Sequence, residues 1–180
     1  MKLPRTIRLD GSDAVVFERA AAPDEWAVSG AFMFGESDLE RLTGKARVAF
    51  RSGLLGIASF GWSTLVVVAP ASAADRAAAV ETLARNLVDR LGAPNLAAAR
   101  AAAEDEIAFA ASLCDHPLQT LLAVHRTIED GAVREAFRTL KPRPGAIGQS
   151  YLSDRVFTAT EEGDAEATVD LTGLTHRRPS

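Results

Sequence analysis

Cys114, Asp115 and His116 are consecutive, and they are the first residues of the chain whose types suggest chemistry. A Cys-x-His pair can ligate zinc, but a zinc site needs three or four ligands. The whole chain has one cysteine and three histidines, at 116, 125 and 176. Cys114 is a poor nucleophile candidate as well. It falls at the end of an expected helix, where the dipole opposes a thiolate. The same dipole favours a charged His116, so helix-end and core roles account for these residues. Ser63 follows Gly61-Trp62, like the start of a nucleophile elbow. That motif requires Gly-x-Ser-x-Gly and then a helix; position 65 is Leu and a strand follows, so it is rejected. Glu104, Asp105 and Glu106 fan around a helix instead of converging, and a solvated face is expected there in place of a metal or acid–base site. No catalytic residue, metal site or cofactor is assigned.

What remains is a set suited to binding. Arg126, Arg134 and Arg138 alternate on the faces of an expected hairpin and can hold a carboxylate or phosphate; His125 stands among them. The competing reading is a solvated, salt-bridged strand face. Trp62 is expected at a turn, where an exposed aromatic is an interface candidate, and Trp26 in the core.

The elements that would position these groups are clearest between Ser72 and Cys114. Ser72 and Asp75 form a capping-box variant, and Asp75 places negative charge at the positive end of the helix. Val80, Leu83, Ala84, Leu87, Val88 and Leu91 then make one apolar stripe at the helical period. Gly92 and Pro94 stop that helix. Asn95 caps a second, Ala-rich helix with the stripe Leu96, Ala99, Ala103, Ile107, Ala110 and Cys114.

The N-terminal third reads as a three-strand meander: Thr6 to Leu9 and Ala14 to Glu18 around the turn Asp10–Asp13, then Trp26 to Phe34, with Gly30 marking a bulge or close backbone approach. Ser37 with Glu40 is a second capping box, opening a helix through Leu39, Leu42, Ala46 and Phe50 that ends at Gly53. Ile57 to Phe60 and Thr64 to Ala69 read as a hairpin around Gly61-Trp62-Ser63. Leu65 to Val68 does not alternate, so it is a central strand covered on both faces. Thr120 to Glu129 and Ala132 to Leu140 form a hairpin on the turn signal Asp130-Gly131, although 132–140 also fits a helical stripe. Phe157 to Thr160 reads as a last strand.

Composition bounds the rest. The chain has 180 residues, 47% hydrophobic and 24% charged, with net charge −4. One globular domain is expected, and the acidic balance argues against nucleic acid as a partner. A single cysteine fits a reducing compartment. There is no signal-peptide pattern and no apolar run long enough for a membrane span, so the expectation is cytoplasmic, with no membrane partner. The segment from Asp154 to Asp170 carries six acids against one Arg, whereas 125–143 is locally +2. The acidic tail is therefore expected either to lie across the hairpin or to be mobile.

The stretch LPRTIRLDGSDAVVFERAAAPDEWAVSGAFMFG, the FGWSTLVVVA hairpin and EDGAVREAFRTL resemble a family of short, uncharacterised alphaproteobacterial proteins over most of residues 3–140. The resemblance implies no activity and transfers no site residue. The resemblance also implies an association with molybdenum-enzyme accessory genes, near which genes of that family often lie, and hence the expectation of a small accessory factor for a cytoplasmic oxidoreductase.

The expected fold is α+β, with a single domain over 1–145 and an acidic C-terminal extension over 146–180. A mainly antiparallel sheet carries the two long helices, 72–91 and 95–114, on one face. The expected function is a non-catalytic accessory or interaction protein with a protein partner. The alternative is a small-molecule binder or enzyme with a pocket between the long helices and the sheet, where Arg126, Arg134, Arg138, His125 and Trp62 are the ligand-binding candidates. Val133 and Phe137 are expected to be buried, either against the domain's own helices or in a twofold homodimer.

Overall fold

The computed structural model describes residues 1–8, 11–35, 39–142, 157–159 and 165–169. In chain order the elements are β1 (Lys2–Thr6), α1 (Ser12–Val16), β2 (Ala27–Val28), 3-10 turns at Ala31–Phe34 and Leu39–Arg41, and α2 (Gly44–Ser52). There follow β3 (Leu54–Gly56), β4 (Trp62–Ser63), β5 (Val66–Pro70), α3 (Ala73–Leu91) and α4 (Leu96–Ser112). The hairpin β6 (Leu121–Glu129) and β7 (Ala132–Pro142) comes next, then β8 (Phe157–Ala159) and β9 (Ala165–Val169). The architecture is α+β and antiparallel throughout its named strand pairs. A six-stranded sheet runs β1-β5-β6-β7-β8, with β9 also on β7, and a small sheet runs β2-β3-β4.

Local signals decide the elements that follow expectation. Ser72 accepts from the Asp75 amide, and the Asp75 carboxylate accepts from the Ser72 amide at 2.8 Å, a complete capping box. Gly92 takes φ +67° and ends α3 in the left-handed region. Asn95 caps α4 by accepting from the Ala98 amide at 2.9 Å. Asp130 and Gly131 both have positive φ, +53° and +78°, as a two-residue type I′ turn requires. β5 is internal, between β1 and β6, with Val66, Val67, Val68 and Ala69 buried. Phe137 and Val133 are buried too; Phe109 of α4 meets Phe137 edge-on at 5.7 Å, so the chain's own helix covers that face.

The N-terminal third departs from the expected meander. Residues 12–16 are helical, not extended, because Asp13 is not a turn tip. Its buried carboxylate accepts from Thr64 Oγ1 at 2.5 Å, 51 residues away in sequence. The strand at 26–34 stops after Val28. Gly30 (φ +79°) turns the chain, and a Cβ there would sit 2.6 Å from Leu55 Cβ, so the expected close approach is present while the long strand is not. The helix expected from Ser37 begins at Gly44, after a separate 3-10 turn; Ser37 itself lies outside the described residues. The hairpin expected around Gly61-Trp62-Ser63 is instead β3 with β4, and Trp62 is inside β4 opposite Leu55. Gly61 serves contact, not a turn: a Cβ on it would lie 2.5 Å from the Ala20 carbonyl oxygen. Trp62 is accordingly buried and stacks on Phe34 at 5.2 Å, so the exposed turn aromatic is corrected to a core residue.

Both C-terminal strands pair with the open edge of β7, β8 at 140–142 and β9 at 133–137. Edge coverage by strand addition protects β7 from unwanted pairing.

Candidate functional site

The two-residue turn fixes the β6–β7 register, and the register sorts the candidate residues onto two faces. Arg126 stands opposite Glu135, Val124 opposite Phe137 and Ile128 opposite Val133, all toward the core. His125 is opposite Ala136, Thr127 opposite Arg134 and Ala123 opposite Arg138, all on the outer face. Strand alternation therefore separates Arg126 from the other candidates.

On the inner side Arg126 is fully buried, and each of its N–H groups donates to the protein. Nε donates to Glu135 Oε1 at 2.6 Å. Nη1 donates to the carbonyls of Phe50 at 2.9 Å and Gly53 at 2.8 Å. Nη2 donates to the Ser29 carbonyl and, at 3.1 Å, to Ser29 Oγ. Ser29 Oγ in turn donates to Glu135 Oε1. The Phe50 and Gly53 carbonyls belong to the last turn of α2 and its cap, groups an α-helix cannot satisfy by itself, and a cation suits that negative end. Arg126 is thus a clamp joining β7, the segment after β2 and the end of α2. Burial pulls its guanidinium below its ordinary pKa, and the Glu135 carboxylate opposes that.

Glu135 keeps one buried oxygen, Oε2, without a hydrogen-bond partner. Glu106 of α4 is the neighbouring acid. Burial first, then the negative charge of Glu135, push its carboxyl from 4.5 up to about 7, while Arg126 opposes and Asp105 adds to the rise. Glu104 and Asp105 are exposed, as expected of a solvated face, and Glu106 is not. The mirror symmetry of residues 126 and 135 about Asp130-Gly131 was the signal available for their pairing. Ser29 and Glu106 carried none, since both arrive from distant elements.

On the outer side His125, Arg134 and Arg138 come together. Arg134 Nε pairs with Glu129 at 2.6 Å, both side chains about half exposed. Burial lowers the pKa of His125, and the cations Arg51 and Arg138 lower it further. Arg51 of α2 is thus near enough to β6 to act on His125. Between α2 and β6 lies a cleft of about 300 Å³, bordered by Leu39, Glu40, Arg47, Phe50, Arg51 and residues 126–128. It is not between the long helices and the sheet.

The other chemical candidates have structural surroundings. Cys114 is buried, which pushes its thiol up to about 12. The His116 carbonyl accepts from Lys2 Nζ at 2.6 Å. Ser63 is buried and donates to the Leu65 carbonyl at 2.8 Å. Among the described residues no group of three or more His, Cys, Asp or Glu could hold a metal, and no helix is long and apolar enough to cross a membrane.

A model of a family of unknown function, DUF6505, matches residues 1–154. The chain belongs to DUF6505. The match includes the clamp, the outer face and the α2 cleft, and it ends before β8 and β9. No curated protein and no solved structure matches the chain.

Proposed function

We propose that this DUF6505 chain is a non-catalytic accessory protein that binds an acidic surface of a protein partner through the outer face of the β6–β7 hairpin. One observation carries the reading. A chain of net charge −4 presents Arg138 and the Glu129-paired Arg134 on one strand face, with Arg51 of α2 close enough to act on the neutral His125 between them. Concentrated positive charge on an acidic protein steers association with negative partners and resists self-association at that face. Arg126, which stability alone explains, is excluded from this face by the register. The family resemblance supplies a partner class, a cytoplasmic oxidoreductase of the molybdenum type; the charge pattern asks only that the partner be acidic where it docks.

The test is size-exclusion chromatography of the tagged chain from native lysate, run at about 50 mM and about 500 mM salt, a range over which screening of exposed charges changes strongly. The reading expects a partner retained at micromolar concentration in low salt and released in high salt. A clean monomer or homodimer with no retained partner, or a partner held equally at both salts, would overturn it.

A further inference from the structure

α2 is electrostatically anomalous. Its sequence, GKARVAFRS, has three cations and no acid, and Lys45 lies in the first turn, where a helix favours negative charge. Arg47 and Arg51 are four residues apart, a like-charge spacing that opposes helix formation. Among the described residues neither guanidinium has a hydrogen-bond or ion-pair partner, and both line the cleft against β6. Lys45 finds an acceptor in the Phe17 carbonyl at 3.4 Å, and Arg51 lies in the last turn, where a cation is favoured; the Arg47–Arg51 repulsion has no such compensation inside the fold and points to an external one.

The cleft wall sets the rest of the ligand. Phe50 of α2 and Ile128 of β6 give it apolar wall, and Glu40 is an acceptor in its lining. Arg126 borders the cleft but has no donor left, its N–H groups being bound to Glu135, Ser29, Phe50 and Gly53. Arg47 and Arg51 are therefore the lining cations with donors left for an anion. Two guanidinium forks match a doubly charged head group such as a phosphate. A volume of about 300 Å³ is that of a small-molecule pocket, at the lower end of the range.

We propose that the cleft between α2 and β6 binds a small organic phosphate monoester, with Arg47 and Arg51 holding the phosphate and Phe50 and Ile128 the apolar body. This goes beyond the protein-partner reading and stands or falls without it. The probes are phenyl phosphate, inorganic phosphate and benzoate, titrated by calorimetry and by amide NMR shifts. Phenyl phosphate is expected to bind several-fold more tightly than either of the others, because only it combines two charges with a ring. Its shifts should centre on residues 39–51 and 126–128. Arg47→Gln/Arg51→Gln should weaken it about tenfold or more while keeping the melting temperature, since a like-charge pair is removed. Arg19→Gln/Arg85→Gln, which removes two charges elsewhere, should change it less than about twofold. The proposal is overturned if phenyl phosphate shows no saturable binding up to about 10 mM, a weak limit even for a fragment. Equal binding of benzoate, or unchanged binding to the Arg47/Arg51 variant, would overturn it too.

Discussion

Replacing Arg126 by Met keeps most of the side-chain volume and removes every donor of the clamp. Glu135 is then a buried carboxylate with only Ser29 Oγ as partner, and the carbonyls of Ser29, Phe50 and Gly53 lose their guanidinium donors. Removing one member of a buried ion pair costs about 3–5 kcal/mol. Orphaned carbonyls add about 1 kcal/mol each where water does not reach them. We expect Arg126→Met to lose about 4–8 kcal/mol, a large part of the total stability of a domain. Arg126→Met/Glu135→Leu removes the stranded charge and should recover about 2 kcal/mol or more of that loss. Urea unfolding followed by far-UV circular dichroism measures both. Should the single variant not fold, a folded double variant makes the same point. A single variant within about 1 kcal/mol of wild type, or a double variant worse than the single, would refute the clamp.

Three further outcomes follow from the interior. In the folded chain Glu106 holds its proton up to about pH 7, whereas unfolded it ionises near 4.5; the folded state binds more protons across that window, so stability falls as pH rises through it, by about 1–3 kcal/mol. Glu106→Gln should flatten that slope and raise the melting temperature above pH 7, and identical melting-temperature profiles from pH 4.5 to 8 would contradict the assignment. Phe137→Asp places a charge against Phe109 and should cost several kcal/mol in thermal or urea unfolding; an unchanged melting temperature would place Phe137 in solvent. Cys114, buried with its thiol pushed up to about 12, should resist a disulfide reagent at pH 8 in the native state and react on unfolding; prompt native labelling would show an open site.

What could be read in the sequence was what is encoded locally. The Ser72–Asp75 box, Gly92, Asn95 and Asp130-Gly131 each act within a few residues, and each sets an observed boundary. The β-branched run before Ala69 announces its own burial. Elements fixed by remote contacts were misread. Asp13 looks like a turn until Thr64 arrives to donate to it, and Gly61 looks like a turn until the Ala20 backbone fills its space. The binding candidates divide in the same way. Strand alternation was correctly anticipated, but the identity of the inner arginine depends on register. Consecutive Glu104, Asp105 and Glu106 do diverge, yet that divergence carries one of them toward Glu135 and the other two into solvent. The cleft required α2 to fold back along β6, which no spacing within residues 39–51 encodes.

The central claim is that the positive outer face of β6–β7 recognises an acidic partner, and charge reversal tests it most directly. Arg134→Glu/Arg138→Glu alters two exposed side chains while leaving the Arg126 clamp intact. The measurement is the amount of salt-sensitive partner that the double variant retains from native lysate, compared with wild type at the same melting temperature. The account predicts retention at least about tenfold lower, as expected when complementary charges become opposed. Retention equal to wild type would contradict it.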